Sequence, residues 1–254
     1  MRRALAAASV TVALAVSSVA LVSCGSPMGP DGAASSNPRP SGAAVVTPET
    51  GGSTGDPLPD PRLEQVGDAG QAVVVTAGGY GVNSATLTAY EREGGRWRLV
   101  MGPWSAHIGN KGFAPPGQKA EGDGRTPSGT YGFSFFFGVA PDPGVRFEYR
   151  QVPDASIVWD EDPASPTYNL WIDLDDFGGG TDPEGMYQPV AYRHGAVIAY
   201  NTARTPGLGS GIFLHASTGR ATAGCVSLPV EQLVAVLRWL DPARTPRIVL
   251  GVAG

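Results

Sequence analysis

One histidine and one cysteine lie ten positions apart in the segment 211–229, which reads GIFLHASTGRATAGCVSLP. A thiol is a strong nucleophile only as its thiolate, and a neighbouring imidazole both lowers the thiol pKa and accepts its proton. We therefore predict that His215 and Cys225 form a catalytic thiolate–imidazole pair. An inert buried cysteine and a structural histidine are the alternative interpretation.

The residues around this pair predict a rigid support followed by an open loop. The apolar run 212–214 is typical of the end of a buried strand and would place His215 at a strand terminus. Thr222 and Gly224 lie in a loop of small residues, where glycine permits close approach of a substrate. The backbone N–H groups of Gly224 and Cys225 are candidates to stabilise an oxyanion.

A helix is predicted directly after the cysteine. Pro229 suits a first helical turn and Glu231 complements the helix dipole. Apolar side chains then recur at helical spacing, at Leu233, Val236, Leu237 and Leu240. If its N-terminal end points at Cys225, this helix would favour the thiolate.

The rest of the folded part predicts short strands and many turns, because the chain contains 36 glycines and 23 prolines. A hairpin is expected at Gly94-Gly95. The fold class that this pattern predicts is mainly β, a sandwich or barrel with one clear helix. The strands are predicted over 72–76, 85–91, 96–101, 131–137, 147–152, 169–172, 196–200, 212–215 and 247–250.

The N-terminal residues predict export and lipid attachment. Arg2 and Arg3 precede an apolar run that ends in Leu21-Val22-Ser23-Cys24, which is typical of a secretory signal with a lipobox. We expect cleavage before Cys24 and attachment of lipid to its sulfur. An ordinary signal peptide and an uncleaved anchor helix are the alternatives. Since the chain has two cysteines, lipidation of Cys24 would leave Cys225 as a free thiol.

Three segments follow from this organisation: a lipoprotein signal peptide over 1–23, a lipid-anchored linker over 24–68 and a catalytic domain over 69–254. The linker is rich in Gly, Pro and Ser without hydrophobic periodicity, which predicts a disordered tether. As a flexible coil it would span about 35 Å on average. The expected location is extracytoplasmic, at the membrane.

The spacing of His215 and Cys225 and the loop Thr222-Ala223-Gly224-Cys225 resemble the catalytic motif of the L,D-transpeptidases of peptidoglycan. A second signature, TPSGTY at 126–131, resembles the TPxGxF/Y strand entry of that family. The resemblance covers about 73–252. Many members have His where this chain has Ala223, and Arg or Asn where it has Ser227.

The resemblance implies the β-rich catalytic domain of this family and an acyltransferase whose nucleophile is Cys225. The thiol would attack the bond before the terminal D-alanine of a tetrapeptide stem, with His215 as base and then acid. An amine of a second stem would resolve the thioester and form a cross-link. The implied partners are peptidoglycan stem peptides of a bacterial cell wall, and the implied role is wall biogenesis and cell shape.

Four residues are predicted to bind the oxyanion or position the substrate: Thr222, Gly224, Ser227 and Arg125. Arg125 lies in the polar loop 118–129 and would bind a substrate carboxylate bidentately, although a solvated turn is the alternative. His107 and His194 are weaker candidates to assist the cysteine.

Two other functions stay open at this point. A hydrolase on the same scaffold would resolve the thioester with water, as an L,D-carboxypeptidase or endopeptidase. A wall-binding lipoprotein with an inactive site would bind peptidoglycan without turnover.

Composition argues against several further classes. The formal charge of −5 and the absence of a basic stripe argue against nucleic-acid binding. Transition-metal spacings are absent, and the acidic run 173–178 lacks a calcium ligand at Phe177. We therefore predict no metal, no cofactor and no obligate protein partner.

Overall fold

The computed structural model describes residues 60–253, which contain 13 strands, one α-helix and three short 3-10 helices. The helix α1 spans Val230–Trp239, and the 3-10 helices span Pro61–Val66, Leu174–Asp176 and Pro242–Arg244. The strands are β1 (Gln71–Ala77), β2 (Ser84–Glu93), β3 (Arg96–His107), β4 (Gly129–Tyr131), β5 (Phe133–Gly138), β6 (Tyr149–Gln151), β7 (Ile157–Trp159), β8 (Trp171–Asp173), β9 (Glu184–Gly185), β10 (Gly195–Ile198), β11 (Phe213–Ala216), β12 (Val226–Leu228) and β13 (Arg247–Val252).

Ten of these strands form one sheet in the order β4-β13-β1-β2-β3-β12-β11-β10-β5-β6. A second sheet of three strands has the order β8-β7-β9. The strands β11 and β12 lie in the middle of the large sheet and pair in parallel, with His215 opposite Ser227. The segment before β12 is thereby fixed beside the start of β11, and this segment ends in Cys225.

One face of the large sheet packs against α1. The buried helix residues Leu233, Val236 and Leu237 belong to one core cluster with Leu214 of β11 and Val226 of β12. Strands from both halves of the sheet contribute to the same cluster, which also contains Val73, Phe136, Ile198 and Leu250. The helical spacing of the apolar residues thus supplies the core of the sheet.

The opposite face of β11 packs against a second cluster. Phe213 is fully buried there with Phe137, Trp159, Tyr192 and Cys225. Side chains alternate along a strand, so Leu214 lies under α1 while Phe213 lies on the side of the small sheet. The small sheet therefore covers the face of β11 that carries the cysteine cluster.

The predicted fold class is confirmed: the described part of the chain is mainly β, with one α-helix after the cysteine. The predicted strand 131–137 is wrong as a single element, because it divides at Gly132 into β4 and β5. β4 pairs with β13 and β5 pairs with β10, in different regions of the large sheet. The sequence analysis missed β7, β9 and β12, which have only two or three residues each.

The linker predicted over 24–68 extends too far toward the C-terminus. Leu63 and Val66 lie in the first 3-10 helix with exposed fractions of 2% and 4%. They pack in one cluster with Val74 and Val249, so their burial makes them part of the folded domain. The leader and the rest of the linker lie outside the described residues. Within residues 60–253, no helix has both the length and the apolar character needed to span a bilayer.

Candidate active site

A cavity of about 470 Å³ opens on the side of β11 that faces the small sheet. His215 and Cys225 both line this cavity, as do Thr222, Ala223 and Gly224 of the loop between them. The structure therefore brings the predicted pair to one surface. A thiol and an imidazole around a shared cavity are the groups that acyl-thioester chemistry requires.

The sulfur of Cys225 is held by the backbone of the segment that leads into β11. The thiol donates a hydrogen bond to the carbonyl of Gly211 at 3.2 Å, and the N–H of Phe213 donates to the sulfur at 3.3 Å. Gly211 has φ of 59°, a left-handed conformation that glycine adopts without strain. This turn presents its carbonyl to the thiol.

His215 is buried on β11, between Gly195 of β10 and Ser227 of β12. Its Nδ1 lies 2.9 Å from the carbonyl of Ala216, which accepts a hydrogen bond, so Nδ1 carries the proton and Nε2 is the free base. The ring of Tyr192 contacts the imidazole edge-to-face at 5.3 Å. No hydrogen bond joins His215 to Cys225 among residues 60–253.

The pKa shifts at this pair oppose a preformed ion pair between the thiolate and the imidazolium. Burial raises the pKa of Cys225, and the nearby carboxylates of Glu184 and Glu161 raise it further. Burial also lowers the pKa of His215, despite hydrogen bonds that favour its protonated form. Both shifts favour a thiol beside an uncharged imidazole.

The helix α1 was expected to favour the thiolate only if its N-terminal end points at Cys225. The strand β12 lies between Cys225 and α1, and its three residues extend roughly 10 Å. A helix dipole acts mainly within the first turn, so the N-terminus of α1 does not favour the thiolate.

The loop before Cys225 is shaped by the side chain of Thr222. Its hydroxyl donates to the carbonyl of Cys225 at 2.7 Å and accepts the N–H of Gly224 at 3.2 Å. Gly224 fits because a Cβ at this position would lie 3.1 Å from the carbonyl oxygen of Arg125. Thr222 and Gly224 therefore line the cavity and also fix the backbone at Cys225.

The two sequence motifs meet at Thr126. This fully buried threonine donates to the carbonyl of Cys225 at 3.3 Å and accepts the N–H of Gly109 at 2.9 Å. The TPSGTY segment therefore contacts the cysteine loop through a hydrogen bond to its backbone. The sequence analysis placed Thr126 in a family signature but did not predict this contact.

Arg125 and Ser227 do not lie where the substrate-positioning prediction requires. Neither side chain lines the cavity. The backbone carbonyl of Arg125 faces Gly224. Ser227 is 1% exposed because β12 is enclosed by β11 and β3, and its Oγ has no hydrogen-bond partner among the described residues.

The other two histidines also lie outside the cavity lining. His107 Nδ1 lies 3.2 Å from the hydroxyl of Ser217, and His194 Nδ1 lies 3.0 Å from that of Tyr149. The structure therefore gives neither ring a place beside Cys225.

Asn169 is a positioning residue that sequence reasoning missed. Its Oδ1 accepts the indole N–H of Trp159 at 2.9 Å and the N–H of Gly211 at 3.1 Å. It thereby fixes the turn whose carbonyl receives the thiol of Cys225. No local pattern marks this residue, because it lies 42 positions from Gly211.

The cavity also contains a group of carboxylates that the sequence analysis did not identify. Glu121, Glu161, Asp182 and Glu184 line it together with one cation, Lys119. Burial raises the pKa of Glu161 to about 7, with further contributions from the charges of Glu184 and Glu121. Burial also raises the pKa of Glu184, although a hydrogen bond from Tyr192 opposes this shift.

Within residues 60–253, no group of three acidic, cysteine or histidine side chains is arranged to hold a metal ion.

Comparison with known proteins identifies the family. A family model for the YkuD L,D-transpeptidase catalytic domain matches residues 80–249, two thirds of the chain. The chain belongs to this family, and the predicted resemblance is confirmed.

One similar solved structure is the helical cell shape determining protein Pgp2 from Campylobacter jejuni, with 15% sequence identity and a TM-score of 0.34. The match covers 74% of this chain and 52% of that chain, so it spans about half the length of Pgp2. No curated protein matches the chain.

We predict that Thr126→Val destabilises the domain by about 1–3 kcal/mol, because the buried N–H of Gly109 loses its acceptor, while the carbonyl of Cys225 keeps the hydroxyl of Thr222. Chemical denaturation measures this cost. Ser227→Ala is the matched control, since it removes a buried hydroxyl that has no partner among the described residues, and its stability should not fall. Equal destabilisation by both changes would contradict the assigned role of Thr126.

We also predict slow alkylation of Cys225 by iodoacetamide at neutral pH, with a rate that rises steadily as pH increases. Glu184→Gln should accelerate the reaction, because loss of a negative charge lowers the thiol pKa. Intact mass spectrometry follows the reaction, and Cys225→Ser reports the background from Cys24. A rate that is already constant below neutral pH would indicate a preformed thiolate and refute the neutral pair.

Proposed function

We propose that the protein is an L,D-transpeptidase that cross-links peptidoglycan stem peptides through a thioester on Cys225. Membership of the family supports the reaction class. The observation that carries the assignment to these residues is the seating of the Cys225 thiol in a cavity that His215 also lines.

In the first half-reaction, the thiol of Cys225 attacks the carbonyl carbon before the terminal D-alanine of the donor stem. Nε2 of His215 takes the thiol proton and then gives it to the departing amino group of D-alanine. The N–H of Gly224 is donated to Thr222, so the N–H of Cys225 is the candidate donor to the oxyanion.

The neutral resting pair determines when the proton moves. A preformed ion pair is disfavoured because the pKa of the thiol is raised and that of the imidazole is lowered. Proton transfer therefore accompanies attack on a bound carbonyl instead of preceding it. Until a substrate binds, the thiol keeps its hydrogen bond to Gly211 and resists adventitious oxidation.

The proposal includes export and anchoring. The apolar leader and the sequence around Cys24 support secretion with lipid attachment. The tether that follows would let the domain work within the wall while it is bound to the membrane. Residues 60–253 carry the chemistry, whereas the location depends on residues outside the described part.

We expect Cys225→Ala to abolish turnover of a tetrapeptide donor while the fold is kept, because the side chain is small and partners only backbone groups. His215→Gln should slow thioester formation by about 100-fold or more, as expected for loss of a general base. Intact mass detects the acyl-enzyme and chromatography separates its products.

The products decide among the three functions. Cross-linked dimer supports the transpeptidase, whereas free tripeptide with no dimer indicates a hydrolase. Sacculus binding by wild type and Cys225→Ser alike, with no acyl-enzyme, would indicate a binding protein and refute the enzyme assignment.

We expect the protein in membranes to lack residues 1–23 and to carry lipid on Cys24. Cys24→Ser should release the processed protein into the soluble extracytoplasmic fraction. Cell fractionation and intact mass test this, with Cys225→Ser as the control that keeps the anchor. Recovery of unprocessed Cys24→Ser protein in the membrane would instead favour an uncleaved anchor helix.

A further inference from the structure

Charge in the nucleophile cavity is strongly unbalanced. Four carboxylates line it, from Glu121, Glu161, Asp182 and Glu184, against one ammonium group. That ammonium group, of Lys119, is bound to the carboxylate of Asp123 at 2.8 Å and to the carbonyl of Ala120 at 2.6 Å. The only lysine that lines the cavity is therefore engaged by groups outside its lining.

The carboxylates differ in whether they accept hydrogen bonds from other residues of the protein. Glu121 accepts hydrogen bonds from the hydroxyls of Tyr168 and Ser210, and Glu184 accepts one from Tyr192. Glu161 accepts no hydrogen bond from any residue in 60–253, although it is partly buried. Asp182 also lacks a partner among the described residues, but it is exposed, so Glu161 is the partly buried carboxylate of the lining that the described chain leaves without one.

Glu161 lies beside the nucleophile. A Cβ placed on Gly211 would lie 3.0 Å from its Oε1 and 3.5 Å from Oε2 of Glu184. The carbonyl of the same Gly211 holds the thiol of Cys225 at 3.2 Å. The small sheet sets this arrangement, because Glu184 pairs with Trp159 in β7 and Glu161 follows two residues later.

A partly buried carboxylate without a partner, close to another carboxylate, needs a proton or a cation. The raised pKa of Glu161 expresses this requirement, and the charged groups that act on it are Glu184, Glu121, Lys119 and Asp160. An alkylammonium group would supply both a positive charge and hydrogen-bond donors. A substrate carboxylate at the same point would be repelled.

We propose that Glu161 is a further catalytic residue, which binds the ammonium group of the acceptor and takes its proton before the amine attacks the Cys225 thioester. This role rests on the proposed acyl transfer. The acceptor class is a primary alkylamine that enters as a cation. Glu184 and Glu121 in the cavity wall add to the negative potential around that cation, whereas the exposed carboxylate of Asp182 at the rim is screened by solvent.

The proton balance explains why a base is needed. An alkylammonium group with a pKa near that of lysine, about 10.4, is uncharged in only about four molecules per ten thousand at neutral pH. Glu161 accepts one proton and becomes the carboxylic acid, which leaves an amine with a free electron pair.

The amine nitrogen then forms a bond to the thioester carbonyl carbon, and the bond between that carbon and the sulfur breaks. The nitrogen gives its second proton to Nε2 of His215, which passes it to the departing sulfur. The products are an amide, the Cys225 thiol and protonated Glu161, which loses its proton to water when the product leaves.

The test uses the full chain, acylated on Cys225 by a tetrapeptide donor and freed of excess donor. Intact mass follows the loss of the acyl group in three solutions: buffer alone, Nα-acetyl-lysine amide, and hydroxylamine, which is uncharged at neutral pH. Glu161→Gln removes the base. Asp182→Asn is the matched control, since it removes the same charge from an exposed position on the same cavity.

We expect Glu161→Gln to slow transfer to the lysine derivative by about 100-fold, as for loss of a general base. Reaction with hydroxylamine should stay within a few-fold of wild type, and Asp182→Asn should be close to wild type with both nucleophiles. Initial acylation should not slow in Glu161→Gln, because the variant loses a charge that raises the thiol pKa. Wild-type transfer should decline as pH falls through about 7, and the variant should lack this step.

Unchanged transfer in Glu161→Gln, or equal losses in Glu161→Gln and Asp182→Asn, would overturn the proposal while the acyl-enzyme mechanism stands. Equal slowing with hydroxylamine would assign Glu161 a merely structural role and would also overturn it. Failure of the wild type to form any acyl-enzyme would refute the proposed function itself, and this inference with it.

Discussion

The parallel pairing of β11 with β12 is the constraint on which the candidate site depends. It fixes Cys225 at the entrance to one strand while its sulfur bonds to the backbone that leads into the other. The strand β11 then presents His215 on the same side of the sheet. Two further groups hold this junction: Thr126 bonds the carbonyl of Cys225, and Asn169 bonds the N–H of Gly211. The geometry of the candidate site therefore depends on contacts among segments that are distant in sequence.

The electrostatics of the cavity are those of an acidic, partly desolvated site. Burial and nearby carboxylates raise the pKa of the Cys225 thiol, and burial lowers the pKa of His215, so both shifts favour the uncharged forms. A neutral pair avoids the cost of an ion pair in low dielectric. The same carboxylates make the cavity favourable to cations, so the charge that suppresses the thiolate is also suited to a cationic nucleophile.

Local patterns predicted the parts of this protein that local chemistry controls. The apolar spacing of Leu233, Val236 and Leu237 predicted α1, since a helix buries one stripe. Gly94 and Gly95, which both have positive φ, predicted the hairpin turn between β2 and β3. The short strands β7, β9 and β12 were missed because two or three residues carry no period, and their pairing with distant strands defines them.

The sequence by itself determined the family and the fold class, and it predicted a nucleophile and a base, because motif spacing and residue type are local properties. Only the tertiary structure decided their charge state and their neighbours. Burial and the charges of Glu161 and Glu184 act through space, so their raising of the Cys225 pKa could not be predicted from the sequence. Glu161 lines the cavity and Ser227 does not, although only Ser227 was predicted to do so. The pairing of the strands, and not the distance along the sequence, determines which side chains face the thiol.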